Sequence, residues 1–289
     1  MRIPKFWAVV EGSGTGPHGE RLFRRVWGWS MSSTAEALAV AQERLRSALA
    51  GLGLGVRVGG YYPRAPLREP ILDEIVVDGE QILAVTRNRY GAEVLNTDRV
   101  LIADIDLPGS LTPAGGGLLR RLFRRGTPAP GPPAEPSSVV ERLATLANWA
   151  RGHPDLGVLV YRTASGLRVF VTGIDEPAAS ADGERILAEL GTDPIYRELC
   201  RAHGTFRARL TPKPWRMPGI TALRERWPYA DGGGERRFRR WLADYEAAAA
   251  GYAVCRRLAT HGPAPSPLEG QIVGLHDDRT RVLAPLPLA

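Results

Sequence analysis

The eight residues Val100-Leu-Ile-Ala-Asp-Ile-Asp-Leu107 constrain this chain more than any other stretch. They read as a buried β-strand that nevertheless carries two carboxylates. Side chains alternate along a strand, so Asp104 and Asp106, two apart, point to the same face. Two like charges side by side are costly without a counter-charge. Two solutions stay open. A divalent cation, Mg²⁺ or Mn²⁺, takes oxygen ligands and is commonly held by one or two carboxylates with phosphate oxygens. Alternatively, the pair ends an edge strand and is neutralised by arginines, which are plentiful here.

The chain has 289 residues, enough for one large domain or two small ones. No apolar run reaches the roughly eighteen residues of a membrane span. The N-terminus shows no secretory h-region, so a cytoplasmic protein is expected. The formal net charge is +7, and only Lys5 and Lys213 are lysine. That balance favours anionic partners: a nucleoside triphosphate, nucleic acid, or both. Cys200 and Cys255 form no CxxC or zinc spacing and read as buried free thiols in helical patterns.

Residues 1–98 read as a small α+β unit. Phe6–Val10 and Leu22–Trp29 are strands, and Ser33-Thr-Ala-Glu36 is a capping box opening a helix. Ile82–Thr86 and Ala92–Leu95 follow as further strands. Residues 99–216 form a more regular core. After the Asp104 strand, 108–136 is a Gly- and Pro-rich loop containing the basic amphipathic piece Leu118–Arg125. Ser138–Glu141 opens a helix. Gly157–Arg162 and Leu167–Thr172 are strands joined by a tight turn. Helical patterns run from Asp182 to Leu190 and from Asp193-Pro194, where Asp is the cap and Pro the first helical residue. Phe206–Leu210 is a last strand. Residues 217–289 are expected as a helical region and tail, with one long helix over 235–258 and a solvated turn at His276-Asp277-Asp278.

The expected fold class is therefore α+β, with a ferredoxin-like β-α-β-β-α-β core. In the usual 4-1-3-2 order, strand 1 is central. Asp104 and Asp106 then share an open sheet face with Arg168 on strand 3 and Arg207 and Arg209 on strand 4. Carboxylates for metal beside guanidinium forks suit a polyphosphate. A face of mutually neutralising charges with no ligand has the same layout.

Asp104-Ile-Asp106 on a first strand resembles the metal-binding hDhD motif of the archaeo-eukaryotic primase superfamily, whose core is an RRM-like sheet. The family's next element is a Ser-x-His motif beyond a hairpin, and Thr163-Ala-Ser-Gly-Leu-Arg-Val-Phe170 stands in its place. It contains no histidine; Arg168 is the nearest polar stand-in. Asp193-Pro-Ile-Tyr196 followed by Phe206-Arg207 matches the later hydrophobic-Asp motif and arginine strand. The resemblance implies metal held by Asp104, Asp106 and Asp193, with Asp104 and Asp106 catalytic. It implies phosphate contacts from Ser165, Arg168, Arg207, Arg209 and Lys213. With the histidine replaced, nucleotidyl transfer is expected to be weak or lost.

Other motifs are thin. Gly12-Ser-Gly-Thr-Gly16 lacks the Lys-Ser/Thr of a P-loop. Arg207–Arg216, with Lys213 and Trp215, offers a surface for phosphates and base stacking. Two functional readings remain: a divergent primase-like protein that binds metal and nucleotide, or a non-catalytic nucleic-acid-binding or adaptor protein on the same fold.

Overall fold

The computed structural model describes residues 1–51, 66–107, 137–174, 180–229 and 231–289. It is a mixed α+β protein with six α-helices and three antiparallel sheets among these residues. The chain forms two compact units. Unit 1 takes Met1–Asp98 and Glu198–Ala250; unit 2 takes Arg99–Glu176, Ser180–Arg197 and Gly251–Ala289.

In unit 1, β1 (Phe6–Thr15) and β2 (Arg21–Ser30) make a two-stranded antiparallel sheet, with Phe6 opposite Ser30 and Thr15 opposite Arg21. Helix α1 (Thr34–Ala50) packs on one face of it, where Gly12 meets Leu45 and Gly28 meets Ala37 and Ala41. A Cβ at Gly28 would lie 2.2 Å from the Ala37 carbonyl oxygen, so only glycine permits this approach. Ser33 caps α1, its hydroxyl accepting from the Glu36 N–H at 3.1 Å. The expected box is half made: the Glu36 carboxylate accepts from Ser30 Oγ, while the Ser33 N–H also goes to Ser30 Oγ.

The second sheet of unit 1 has the order β3-β4-β5-β9, from Ile71–Val77, Glu80–Arg87, Glu93–Thr97 and Phe206–Arg209. Helix α5 (Gly232–Ala249) carries part of a run of rings in successive contact: Tyr229, Phe238, Trp241 and Tyr245.

Unit 2 is built on the sheet β10-β7-β8-β6, from Cys255–His261, Gly157–Thr163, Gly166–Thr172 and Leu101–Asp106. The helices are α2 (Ser137–Arg151), α3 (Ala181–Glu189), the start of α4 (Pro194–His203) and α6 (Pro267–Thr280). Both faces of the central strands are buried. Val158, Val160, Val169 and Val171 fill one, and Leu159, Tyr161 and Phe170 fill the other. This explains their nearly continuous apolar sequence.

Several expectations need correction. The neighbours β6-β8-β7 follow the 1-3-2 part of the ferredoxin-like order, but the fourth strand does not. Phe206–Arg209 pairs with Glu93–Thr97 in the other sheet. Among the described residues, β6 therefore pairs only with β8 and sits at the edge rather than the centre. Residues 217–289 divide between the units. The expected long helix over 235–258 ends at Ala249, and Cys255 lies in strand β10. His276-Asp277-Asp278 is helical, with His276 fully buried. The 108–136 loop and its piece Leu118–Arg125 lie outside the described residues.

Candidate functional site

On β6, Ile102, Asp104 and Asp106 alternate with Leu101, Ala103 and Ile105. Asp104 stands opposite Arg168 of β8, which stands opposite Tyr161 of β7, which stands opposite Arg257 of β10. The Asp104 face is not open at its centre. His276 of α6 lies over it, 4.5 Å from the Phe170 ring centroid and 4.9 Å from that of Tyr161.

Arg168 is fully buried, and its guanidinium is spent inside the unit. Nε donates to Asp104 Oδ1 at 3.0 Å. Nη1 lies 3.6 Å from Cys255 Sγ and 3.4 Å from His276 Nε2. Burial works against the arginine's charge, and the Asp104 carboxylate and Cys255 more than restore it, so its pKa sits above the ordinary value. Because arginine has only donors, His276 Nε2 must accept from it. Nδ1 is then the protonated nitrogen and donates to Asp277 Oδ1 at 3.0 Å. Burial first, and then Arg168, push the His276 pKa down to about 4 against the pull of Asp277, so the ring is neutral. Asp277 is also paired with Arg257.

This arrangement does not fit a divalent cation. Asp104 Oδ1 is held by a guanidinium, and Asp193 uses its carboxylate to cap α4, accepting from the Tyr196 N–H at 2.8 Å. The Asp193 N–H does donate to the Asp104 carbonyl at 3.2 Å, so these two residues meet through their backbones. Asp106 is exposed at the strand end, opposite Gly166. Among the described residues, no group of three or more His, Cys, Asp or Glu side chains converges as a metal site. The Ser165 carbonyl accepts from the Leu107 N–H.

Arg207, Arg209 and Lys213 belong to unit 1. Arg207 Nη2 is 2.9 and 2.7 Å from the two oxygens of Glu69, and both side chains are largely buried. Arg209, two residues on, shares its strand face and is half-buried. Lys213 Nζ stands 5.6 Å from the Trp215 ring, which is exposed and edge-on to Tyr90.

A surface the sequence reading passed over lies on the β1–β2 hairpin. One face is covered by α1. The other carries Arg21, Phe23, Arg25, Trp27 and Trp29 at every second position of β2, opposite Thr15, Ser13, Glu11, Val9 and Trp7. Each ring has a guanidinium beside it. Arg21 is 5.2 Å from the Phe23 centroid, Arg25 5.7 Å and Arg68 4.2 Å from Trp27, and Arg44 4.5 Å from Trp29. Phe23 is 70% exposed. Among the described residues, Arg44 and Arg68 make no hydrogen bond or ion pair, and Arg25 has only an exposed contact with Glu11 at 3.4 Å. The signal for this face was period-two alternation of arginine and aromatic residues within a single strand.

No family model matches this chain, and no curated protein or solved structure matches it.

Proposed function

We propose that this protein binds single-stranded nucleic acid through the outer face of its β1–β2 hairpin, and that unit 2 acts as a packed scaffold without metal chemistry. The observation that carries this reading is the run of Arg21, Phe23, Arg25, Trp27 and Trp29 along one face of β2, with Arg68 over the Trp27 ring and Arg44, from α1, over that of Trp29. Phe23 is an exposed base-stacking platform that tolerates any sequence, Trp27 and Trp29 are half-buried rings with guanidinium groups over them, and those guanidinium groups can meet phosphates. Arginine is suited to both tasks, since it stacks on rings and forks onto phosphate oxygens.

A metal-dependent, primase-like nucleotidyltransferase is the second reading. It is favoured by the backbone hydrogen bond between Asp193 and Asp104, with Asp106 two residues further along the same strand. It weighs less because Arg168, its stand-in for the family's histidine, is buried and committed to Asp104.

The test is fluorescence anisotropy with a labelled single-stranded oligonucleotide. Phe23→Ala removes one exposed ring with little packing and is expected to weaken binding about tenfold, since one stacked base contributes about 1–3 kcal/mol. Absence of binding by wild type, or equal binding by Phe23→Ala and by Arg21→Ser with Arg25→Ser, would contradict the proposal.

A further inference from the structure

Unit 1 contains a pocket open to solvent, lined by Arg68, Arg89, Arg226, Tyr229 and Phe238 among others. Arg68 also covers Trp27 at 4.2 Å, so the pocket begins where the arginine–aromatic face ends. Among the described residues, the Arg68 guanidinium has no acceptor. Burial, and then the neighbouring Arg25, lower its pKa, as expected of a cation lacking a counter-charge. Arg226 donates one N–H to the Arg89 carbonyl, and Arg89 reaches the Tyr90 hydroxyl. A guanidinium has five donors, so both keep others for a ligand.

The acidic groups at the pocket are already engaged. Glu225 pairs with Arg237. Arg87, which also lines the pocket, is buried and held by Glu93 at 3.1 Å and Glu246 at 3.5 Å. It forms part of the wall, and the ligand-facing cations are Arg68, Arg89 and Arg226. The Tyr229 and Phe238 rings, also part of the lining, lie 5.2 Å apart and supply an apolar surface.

From this combination we infer that the pocket takes a nucleoside 5′-monophosphate group, either free or at the 5′ end of a bound strand. A phosphate monoester carries about −1.5 to −2 charge near pH 7, which suits three cations better than an internal diester does. The base supplies the planar apolar part that Tyr229 and Phe238 can meet. This inference deepens the hairpin reading, because Arg68 serves both surfaces.

The whole chain is titrated calorimetrically with adenosine 5′-monophosphate, adenosine and inorganic phosphate. The nucleotide is expected to bind, adenosine and phosphate at least about tenfold more weakly, and Arg226→Ser to weaken the nucleotide about tenfold. Arg151→Ser, an exposed residue of α2 in unit 2, should leave nucleotide binding unchanged. Anisotropy with 5′-phosphorylated and 5′-hydroxyl oligonucleotides then identifies the source: a preference for the phosphorylated end supports a strand terminus, and equal binding supports a free nucleotide. No heat with adenosine monophosphate, equal affinity for inorganic phosphate, or indifference to Arg226→Ser overturns the inference. Nucleotide binding without any oligonucleotide binding would retain the pocket and reject the hairpin interface.

Discussion

Arg168 and the arginines of the β1–β2 hairpin share a residue type, and their surroundings give them opposite roles. Arg168 lies in a strand whose two faces are both covered, and its donors meet Asp104, Cys255 and His276. Arg21, Arg25, Arg44 and Arg68 lie against rings, where the attraction leaves most of the donors in reach of solvent. The first kind of arginine holds a core together; the second is equipped to exchange water for an anion. A basic net charge says nothing about which kind a given arginine is, and only burial and partners decide it.

The largest expected effect separates these roles in unit 2. Asp104→Asn would leave the Arg168 guanidinium buried without its carboxylate. Breaking one side of a buried pair costs about 3–5 kcal/mol, and the half-exposed Asp104 places this case at the lower end. Urea unfolding should show that loss, with much of it recovered when Arg168→Met is added. If Asp104→Asn were neutral or stabilising, the aspartate would be held for function, and the metal reading would gain.

Next in size is the response to acid. His276 in unit 2 and His203 in unit 1 both have pKa values pushed down to about 4, first by burial; Arg168 adds to the shift of His276 against the opposing pull of Asp277, and Arg207 to that of His203 against Glu69. The unfolded chain takes up these protons near pH 6.5, the folded chain only near pH 4. Each histidine's contribution is therefore fully present above about pH 6.5 and is lost as pH falls toward 4. The slope is about 1.4 kcal/mol per pH unit per histidine, up to about 3 kcal/mol each. Denaturant midpoints between pH 7 and pH 4.5 would show it, and His276→Gln should flatten the curve. A flat wild-type curve would mean that these rings are not buried neutral.

On the hairpin the effects should fall on binding rather than on folding. Phe23→Ala should change unfolding free energy by no more than about 0.5 kcal/mol, as for an ordinary surface site, while weakening an oligonucleotide. A large stability loss would mean that the ring is packing rather than platform. The smallest effect belongs to Asp106→Asn. This exposed residue should alter neither stability nor oligonucleotide binding, and a Mn²⁺ titration should give the same trace for wild type and variant. A Mn²⁺ heat lost in Asp106→Asn would revive the metal centre.

Much of the local structure was legible in the sequence. The β7–β8 hairpin, the Ser33 cap and the Asp193-Pro194 helix start follow from turn and capping chemistry within a few residues. The choice of strand partners was not. Phe206, Ala208 and Leu210 present an apolar side that suits either sheet, and which edge receives it depends on contacts more than a hundred residues away. Helix α6 had a readable start: Ser266 caps it, Pro267 follows, and Glu269 returns its carboxylate to the Ser266 N–H at 2.8 Å. The Pro-rich context hid that capping box, and with it the helix that covers the Asp104 face. In the site, the proximity of Asp104 and Arg168 followed from strand alternation, but the commitment of Arg168 to that pair follows from burial.

The salt dependence of single-strand binding tests the central claim most directly. Each phosphate contact contributes about 0.7 to the slope of log K against log salt for single strands. Replacing Arg21, Arg25 and Arg68 by Ser should flatten the slope by about 2, with the unfolding free energy nearly unchanged. A variant that keeps the wild-type slope, or a wild type whose binding does not depend on salt, would contradict the assignment of this face to nucleic acid.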